Sequence, residues 1–507
     1  MGTKWRGWAV PVVPLALVLL AVTGCEDSSS GPRAKPTAAP SPSVARVCDE
    51  PAAGPAKAPA GAVPVDPDVP GDLAAKTRSN PPYTTFWLRP GTHRLDPDRY
   101  AQVVPKRGNT YLGAPGAVLD GRRTNQYAFG GTAPGVTLRY LTVQGFVAPH
   151  NEGVVNHDSA DGWVIEHTTI QHNSGAGLMA GARQQIRANC LRGNGQYAIN
   201  AYKGAGPLTG LVVEGNEIVG NNTGDWERRR PGCGCTGGAK FWAVDGADIR
   251  GNWVHDNRGA GLWADTNNND FRIEGNVLED NDGAALIYET SYNAVIRRNT
   301  IRRNNWVEGR RYADKGDNFP FATVYVSESG GEPRVPARTD RIEVYRNVLE
   351  NNWSGITLWE NADRFCNSPA NTSSGACTLL VKDTTRCAQP GIGTQPLYAD
   401  CRWRTQRVDV HHNRFVLDKS VVDCAVKCDR MAVLANYGTY PDWSPYQGDT
   451  VAQAITRGQH NRWHHNVYVG PWKFVVQDPS RILDPWQWQG PPYEQDAGST
   501  FRARGGG

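Results

Sequence analysis

Short apolar stretches, broken at near-regular intervals by Asn and Gly, recur along most of the chain. The unit is Asn, any residue, an apolar residue, two residues of any kind, Asn. It reads Asn189-Cys-Leu-Arg-Gly-Asn194, Asn216-Glu-Ile-Val-Gly-Asn221, Asn252-Trp-Val-His-Asp-Asn257, Asn276-Val-Leu-Glu-Asp-Asn281, Asn299-Thr-Ile-Arg-Arg-Asn304 and Asn347-Val-Leu-Glu-Asn-Asn352. Looser copies begin at Leu141, Thr168, Asn413 and Asn466. The starts at 168, 189, 216, 252, 276 and 299 are 21, 27, 36, 24 and 23 residues apart, and the longer gaps hold inserted loops such as Asp225 to Thr236. Around each unit the pattern alternates with period 2, the signature of a half-buried strand. One strand precedes the first Asn (Phe271-Arg-Ile-Glu), a second lies between the two Asn, and a third follows a Gly or Ala (Ala284-Ala-Leu-Ile-Tyr).

Three short strands per period make one coil. A coil cannot bury its inner face alone, so successive coils stack and share a core. The pattern predicts an all-β fold, a single parallel β-helix of about ten coils with three sheets and long loop insertions. No 3.6-residue period runs through these segments, and Asn and Gly are too frequent for helices. Equivalent residues fall in columns along such a stack. Two buried Asn columns are then self-consistent, because each side-chain amide both donates and accepts. Val103 to Gly121 reads as an entry coil.

The chain starts with a basic Met-Gly-Thr-Lys-Trp-Arg segment, an apolar run from Ala9 to Val22, and Val22-Thr23-Gly24-Cys25. That order is a secretory signal. The small residue before Cys25 resembles the bacterial lipobox, which implies lipidation of Cys25 and an extracytoplasmic protein anchored to the cell membrane. Buried acyl chains hold by about 0.8 kcal/mol per methylene. Residues 1–25 are the expected lipoprotein signal peptide. Residues 26–82, rich in Pro and Ala and poor in large apolar residues, are the expected disordered tether, with Cys48 the one sign of a pinned point. Residues 83–507 are the expected β-helix domain.

Composition adds little against this picture. The net charge of +4 argues for no nucleic-acid partner. Ten cysteines besides Cys25 suggest disulfides in an exported chain. Cys366 with Cys377, Cys387 with Cys401, and Cys424 with Cys428 are close enough to pair, and Cys190 can reach Cys233 or Cys235. Oligomeric state is left open.

The repeats resemble the right-handed parallel β-helix repeats of the pectin-lyase-like superfamily over roughly Tyr111 to Val476. Gly237-Gly-Ala-Lys-Phe-Trp, Gly261-Leu-Trp-Ala-Asp265 and Tyr288-Glu-Thr-Ser-Tyr292 are similar to segments of bacterial β-helix proteins. The superfamily holds polysaccharide lyases, epimerases and glycoside hydrolases beside non-catalytic adhesins and tailspikes. The resemblance therefore implies the fold more strongly than the chemistry.

An offset of thirteen from the first Asn places Asp265, Glu289 and Glu360 in one column, joined by Glu328 and, upstream, by Lys240. Neighbouring strands lie about 4.8 Å apart, so these side chains form the candidate catalytic row. Trp242, Trp263, Tyr288, Tyr292 and Trp359 beside them suit sugar rings and are the candidate substrate-binding residues. Two chemistries fit. Paired carboxylates hydrolyse glycosidic bonds. Alternatively, Asp265 and Glu289 hold Ca²⁺ against a uronate carboxylate while a desolvated Lys240 acts as base. Arg310, Arg311 and Arg364 lie in loops able to cover the site. Asn151 to Asp158 forms a second polar cluster. The expected function is a cell-surface carbohydrate-active protein that cleaves or remodels a polysaccharide. The alternative is a non-catalytic surface scaffold or glycan-binding β-helix.

Overall fold

The computed structural model describes residues 46–204, 206–315, 322–370, 376–388, 390–424, 427–433, 441–477 and 481–503. Cys25, the signal segment and the first part of the tether lie outside these residues. The described residues belong to one compact unit, a three-sheet parallel β-helix. The first sheet holds 13 strands from Val63–Val65 to Arg462–His464, and the second holds 13 from Gly91–His93 to Thr500–Arg502. The third holds 11 from Gly153–Val155 onward, closed by the antiparallel strand Ile482–Leu483. Rungs of the first two sheets outnumber the ten marked by the repeat because the entry rungs carry no Asn pair. Among the described residues no helix is long and apolar enough to cross a membrane.

One coil shows how the local sequence acts. Asn269–Glu274 enters the first sheet, Val277–Glu279 the second and Leu286–Glu289 the third. The corner before Asn276 needs a left-handed residue, and Gly275 supplies it at φ 64° without a Cβ clash. Inward positions stack into columns such as Ile165, Ile186, Val213, Ile249, Ile273, Ile296, all essentially buried.

Both Asn columns are hydrogen-bonded ladders. Asn276 Oδ1 accepts from the Asn252 backbone N–H at 3.0 Å and from Asn252 Nδ2 at 2.9 Å. Asn276 Nδ2 in turn donates to Asn299 Oδ1 and to Ile249 O, both at 3.0 Å. Every ladder Asn thus serves its own coil and both neighbours. Asn276→Leu is expected to destabilise by about 3 kcal/mol, since it orphans several buried partners at about 1–3 kcal/mol each. Urea unfolding measures this, and a loss below about 0.5 kcal/mol would contradict the ladder account.

The ordered fold begins earlier than the boundary at 83. Val63–Val65 pairs with Thr85–Leu88, and the helix Asp72–Ser79 buries Leu73 against the first coils. Cys48 is disulfide-bonded to Cys190, so the segment expected as tether is strapped to the second sheet. Cys190 therefore does not pair with Cys233 or Cys235, which bond to each other. The pairs 366–377, 387–401 and 424–428 form as their spacing suggested. The C-terminal end is closed by the helix Pro485–Gln489, whose Trp488 stacks on Phe474 at 4.8 Å.

Candidate active site

Strands of the third sheet alternate strictly. Ala239 and Phe241 point into the core while Lys240 points out, and the next strands repeat this with Leu262 and Ala264 inside and Trp263 outside. Lys240 is paired in register with Trp263, Trp263 with Ile287, and Ile287 with Tyr325. Asp265 and Glu289 each follow the paired Ala264 and Tyr288, at equivalent places on adjacent strands. Their side chains and that of Lys240 are each 13% exposed.

These three groups come together. Lys240 Nζ lies 2.8 Å from Asp265 Oδ2, 4.1 Å from the centre of the Trp263 ring, and donates to the Gly234 carbonyl. Trp263 Nε1 donates to Glu289 Oε2 at 3.1 Å. Arg364 pairs with Glu289 Oε1. It arrives from the insertion 361–407, whose described part shares a small core of Phe365, Ile392 and the two disulfides 366–377 and 387–401 with Tyr446 from the later insertion. The other insertion, Asp225 to Thr236, supplies Gly234 from the opposite side. The two loops hold the charges that the sheet edge brings out.

Burial disfavours charge on Lys240, but Asp265, Tyr197 and Glu289 outweigh it and hold the ammonium above its ordinary range. The Asp265 carboxylate at 2.8 Å favours the ammonium form of Lys240 and weighs against the expectation that desolvation makes it a base. Glu289 is also shifted upward, which for a carboxyl favours the neutral form. Burial raises its carboxyl, Arg364 opposes this, Asp265 adds to it, and the net direction is upward.

Glu328 and Glu360 sit deeper, each about 1% exposed. Glu328 takes a left-handed backbone at φ 43°, which turns its side chain off the alternating row. It accepts from Ser327 and, at 3.0 Å, from the Asn361 N–H. Glu360 is bound by Thr405 N–H at 2.8 Å, Gln459 Nε2 at 2.7 Å and Arg402 at 3.2 Å. It fastens the insertion to the coil and does not line the Lys240–Asp265–Glu289 cluster. Burial pushes the Glu328 carboxyl up to about 8, with Arg364 opposing. A carboxyl held neutral by folding stabilises the fold fully below its unfolded value of 4.5 and loses that contribution as pH rises through about 8. Glu328→Gln should therefore flatten the fall in melting temperature between pH 5 and 9, and an unchanged slope would count against it. Glu308, raised to about 7 by burial, adds a smaller slope of the same sign that the variant retains.

Among the aromatic candidates, Tyr288 faces inward and its hydroxyl donates to the Tyr292 carbonyl at 2.6 Å, so it is core. Tyr292 lies beneath the insertion, its hydroxyl accepting from the Leu379 N–H at 3.3 Å. Trp359 packs on Ala432 and Val475. These three do not reach the cluster's surface, since strand alternation and the insertion cover them. Trp263 is part of the charge cluster. Trp242 is half-buried, edge-on to the exposed Tyr202 at 6.4 Å, and that pair is the aromatic surface beside the carboxylates. Tyr202 was overlooked, although it stands one rung before Trp242 at the same strand position.

The Asn151–Asp158 cluster is tied to neighbouring rungs, with Tyr127 on Glu152 and Gln196 on Asn151. Arg311 does not cover the site. It lines a separate cleft of about 230 Å³ with Asp225, Arg258, Asp282 and Glu308. Arg310 is exposed, with Asp423 at 3.8 Å.

A family model described as a right handed beta helix region matches residues 152–368, which hold most of the Asn ladders. No curated protein matches the sequence. Similar solved structures include the A-module of Azotobacter vinelandii mannuronan C-5 epimerase AlgE6, at 11% identity and TM-score 0.39 over 88% of this chain and 97% of that one. The catalytic unit of a GH87 α-1,3-glucanase from Streptomyces thermodiastaticus is 15% identical, with TM-score 0.34 over 60% of this chain and 66% of that one. The surface adhesin PfbA of Streptococcus pneumoniae is 9% identical, with TM-score 0.27 over 57% and 87%.

Proposed function

With a right-handed β-helix as the scaffold, we propose that this protein is a cell-surface enzyme that hydrolyses a polysaccharide at the Asp265–Glu289 pair. The observation that carries the reading is that two carboxyls at equivalent places on adjacent strands meet opposite environments. Asp265 is held by the Lys240 ammonium. Glu289 is raised by burial against Arg364's opposing pull. A carboxyl raised by burial is suited to the acid role beside a carboxylate partner. Glu289 donates the proton to the glycosidic oxygen, and Asp265 attacks the sugar carbon or activates water. Trp242 and Tyr202 offer aromatic faces for neighbouring sugars. Lys240 and Arg364 supply positive charge beside the carboxylates, the part Ca²⁺ would play in the elimination alternative, so turnover should persist in EDTA. Lipidation of Cys25 would hold the enzyme on the outer face of the membrane, within reach of wall or capsule polymers.

A second reading has its own support. Lys240, Arg364 and Arg402 give each of Asp265, Glu289 and Glu360 a basic partner. A closed ion-pair network of this kind also suits a non-catalytic glycan-binding scaffold. One experiment separates the two. Purified protein is incubated with neutral and uronate-containing polysaccharides, reading new reducing ends and the ultraviolet absorbance of unsaturated uronates. Reducing ends without that absorbance support hydrolysis. The absorbance supports elimination, and binding with neither signal supports the scaffold.

A further inference from the structure

The first sheet ends in an unusual corner. Its outward column alternates Glu166, Arg187, Glu214, Arg250, Glu274 and Arg297, then changes to Tyr345, His411 and His464. The Tyr345 and His411 rings stack at 4.9 Å with 5° between planes, and His411 and His464 at 4.9 Å with 3°. The residues that follow, His412 and His465, take left-handed backbones at φ 54° and 52°. A left-handed residue breaks strand alternation, so consecutive side chains both project outward. Their Nδ1 atoms consequently face each other, His411 to His412 at 2.8 Å and His464 to His465 at 2.9 Å.

We infer that His411, His412 and His464 form a binding site for a borderline transition-metal ion such as Zn²⁺, Cu²⁺ or Ni²⁺. One ring nitrogen from each of the three lies within 4.8 Å of the others. Ligands about 2.0–2.1 Å from a tetrahedral Zn²⁺ stand roughly 3.3 Å apart, so the stacked His411 and His464 rings must tilt toward each other for their in-plane lone pairs to converge on the ion. The second shell is in place. Asp409 Oδ1 lies 2.8 Å from His464 Nε2, and when that nitrogen carries the proton the Nδ1 lone pair is left for the metal. Arg462 at 3.0 Å and Arg341 at 3.6 Å hold Asp409 in turn. One imidazole of each facing pair donates from Nδ1 to the other. For the ion to take the Nδ1 lone pairs of His411 and His412, that proton moves to Nε2 of the same ring, so both bind as neutral imidazoles, while water or His465 completes the sphere. His412 is exposed, which gives the ion an open approach. The surrounding arginines disfavour hard cations held by charge alone, so imidazole lone pairs must supply the binding. The ion would clip together the coils that carry Val408–His411 and Arg462–His464 near the C-terminal cap.

The test is calorimetric titration of chelator-treated, disulfide-intact protein with Zn²⁺, then with Ni²⁺ and Cu²⁺. The expected result is one ion per chain with a dissociation constant of about 10 µM or tighter. His412→Ala should weaken binding at least tenfold, and His412→Ala with His464→Ala should abolish it. Asp409→Asn should weaken it roughly 10–100-fold. Circular dichroism in EDTA should be unchanged in all variants. Absorption spectroscopy should report nitrogen and oxygen neighbours and no sulfur. Binding weaker than about 100 µM for all three metals overturns the site, as does binding that survives the double variant or a sulfur-containing shell.

Discussion

Glu289→Gln is expected to lower turnover of the responsive polysaccharide by about 10²–10⁴-fold, the range for removing a positioned proton donor. Substrate affinity should move little, because Gln keeps the Trp263 hydrogen bond and the shape of the side chain. In the wild type, the raised carboxyl of Glu289 keeps its proton further toward neutral pH than an ordinary Glu. The active, protonated form is lost as pH rises through that value, so the alkaline limb of the rate profile reports it. Lys240 stays charged across the same window and does not contribute to that limb. Steady-state rates of the two proteins from pH 4 to 9 measure this. Equal rates would remove Glu289 from the chemistry.

At alkaline pH, where Glu289 is ionised, Arg364→Leu should destabilise the protein by about 3–5 kcal/mol, the cost of leaving one member of a largely buried ion pair alone. Glu289 is 13% exposed and has Asp265 as its other charged neighbour of like sign. In the variant its carboxyl must take up a proton or drag water into the cluster. Adding Glu289→Gln removes the orphaned charge, so the double variant should recover most of the loss, a coupling that a double-mutant cycle isolates. Chemical denaturation of the four proteins provides the numbers. Additive losses would mean that Arg364 acts through packing of the insertion.

How much of this was written in the chain depends on the range of the interaction. The six-residue Asn unit set the coils, and with them the shared strand positions of Asp265 and Glu289, because in a solenoid equal offset means adjacency in space. The Arg–Glu ladder was equally open to reading. The residue two before each first Asn runs Glu166, Arg187, Glu214, Arg250, Glu274, Arg297, and the same position reaches His411 and His464. Offset also misled where backbone geometry changed. Glu360 shares the spacing of Asp265 and Glu289, yet Thr405, Gln459 and Arg402 draw it into the base of the insertion.

What repeats along the chain was fixed by local rules: alternation of inward and outward residues, left-handed corners, and amides that satisfy one another from coil to coil. What does not repeat was decided only in three dimensions. The strap from Cys48 to Cys190 spans 142 residues. The approach of Arg364 to Glu289 depends on how an irregular, disulfide-bound insertion folds back over the sheet. The charge states of Glu289 and Glu328 follow from that cover, since burial and an opposing guanidinium set them, and neither is encoded by the residues beside them in sequence.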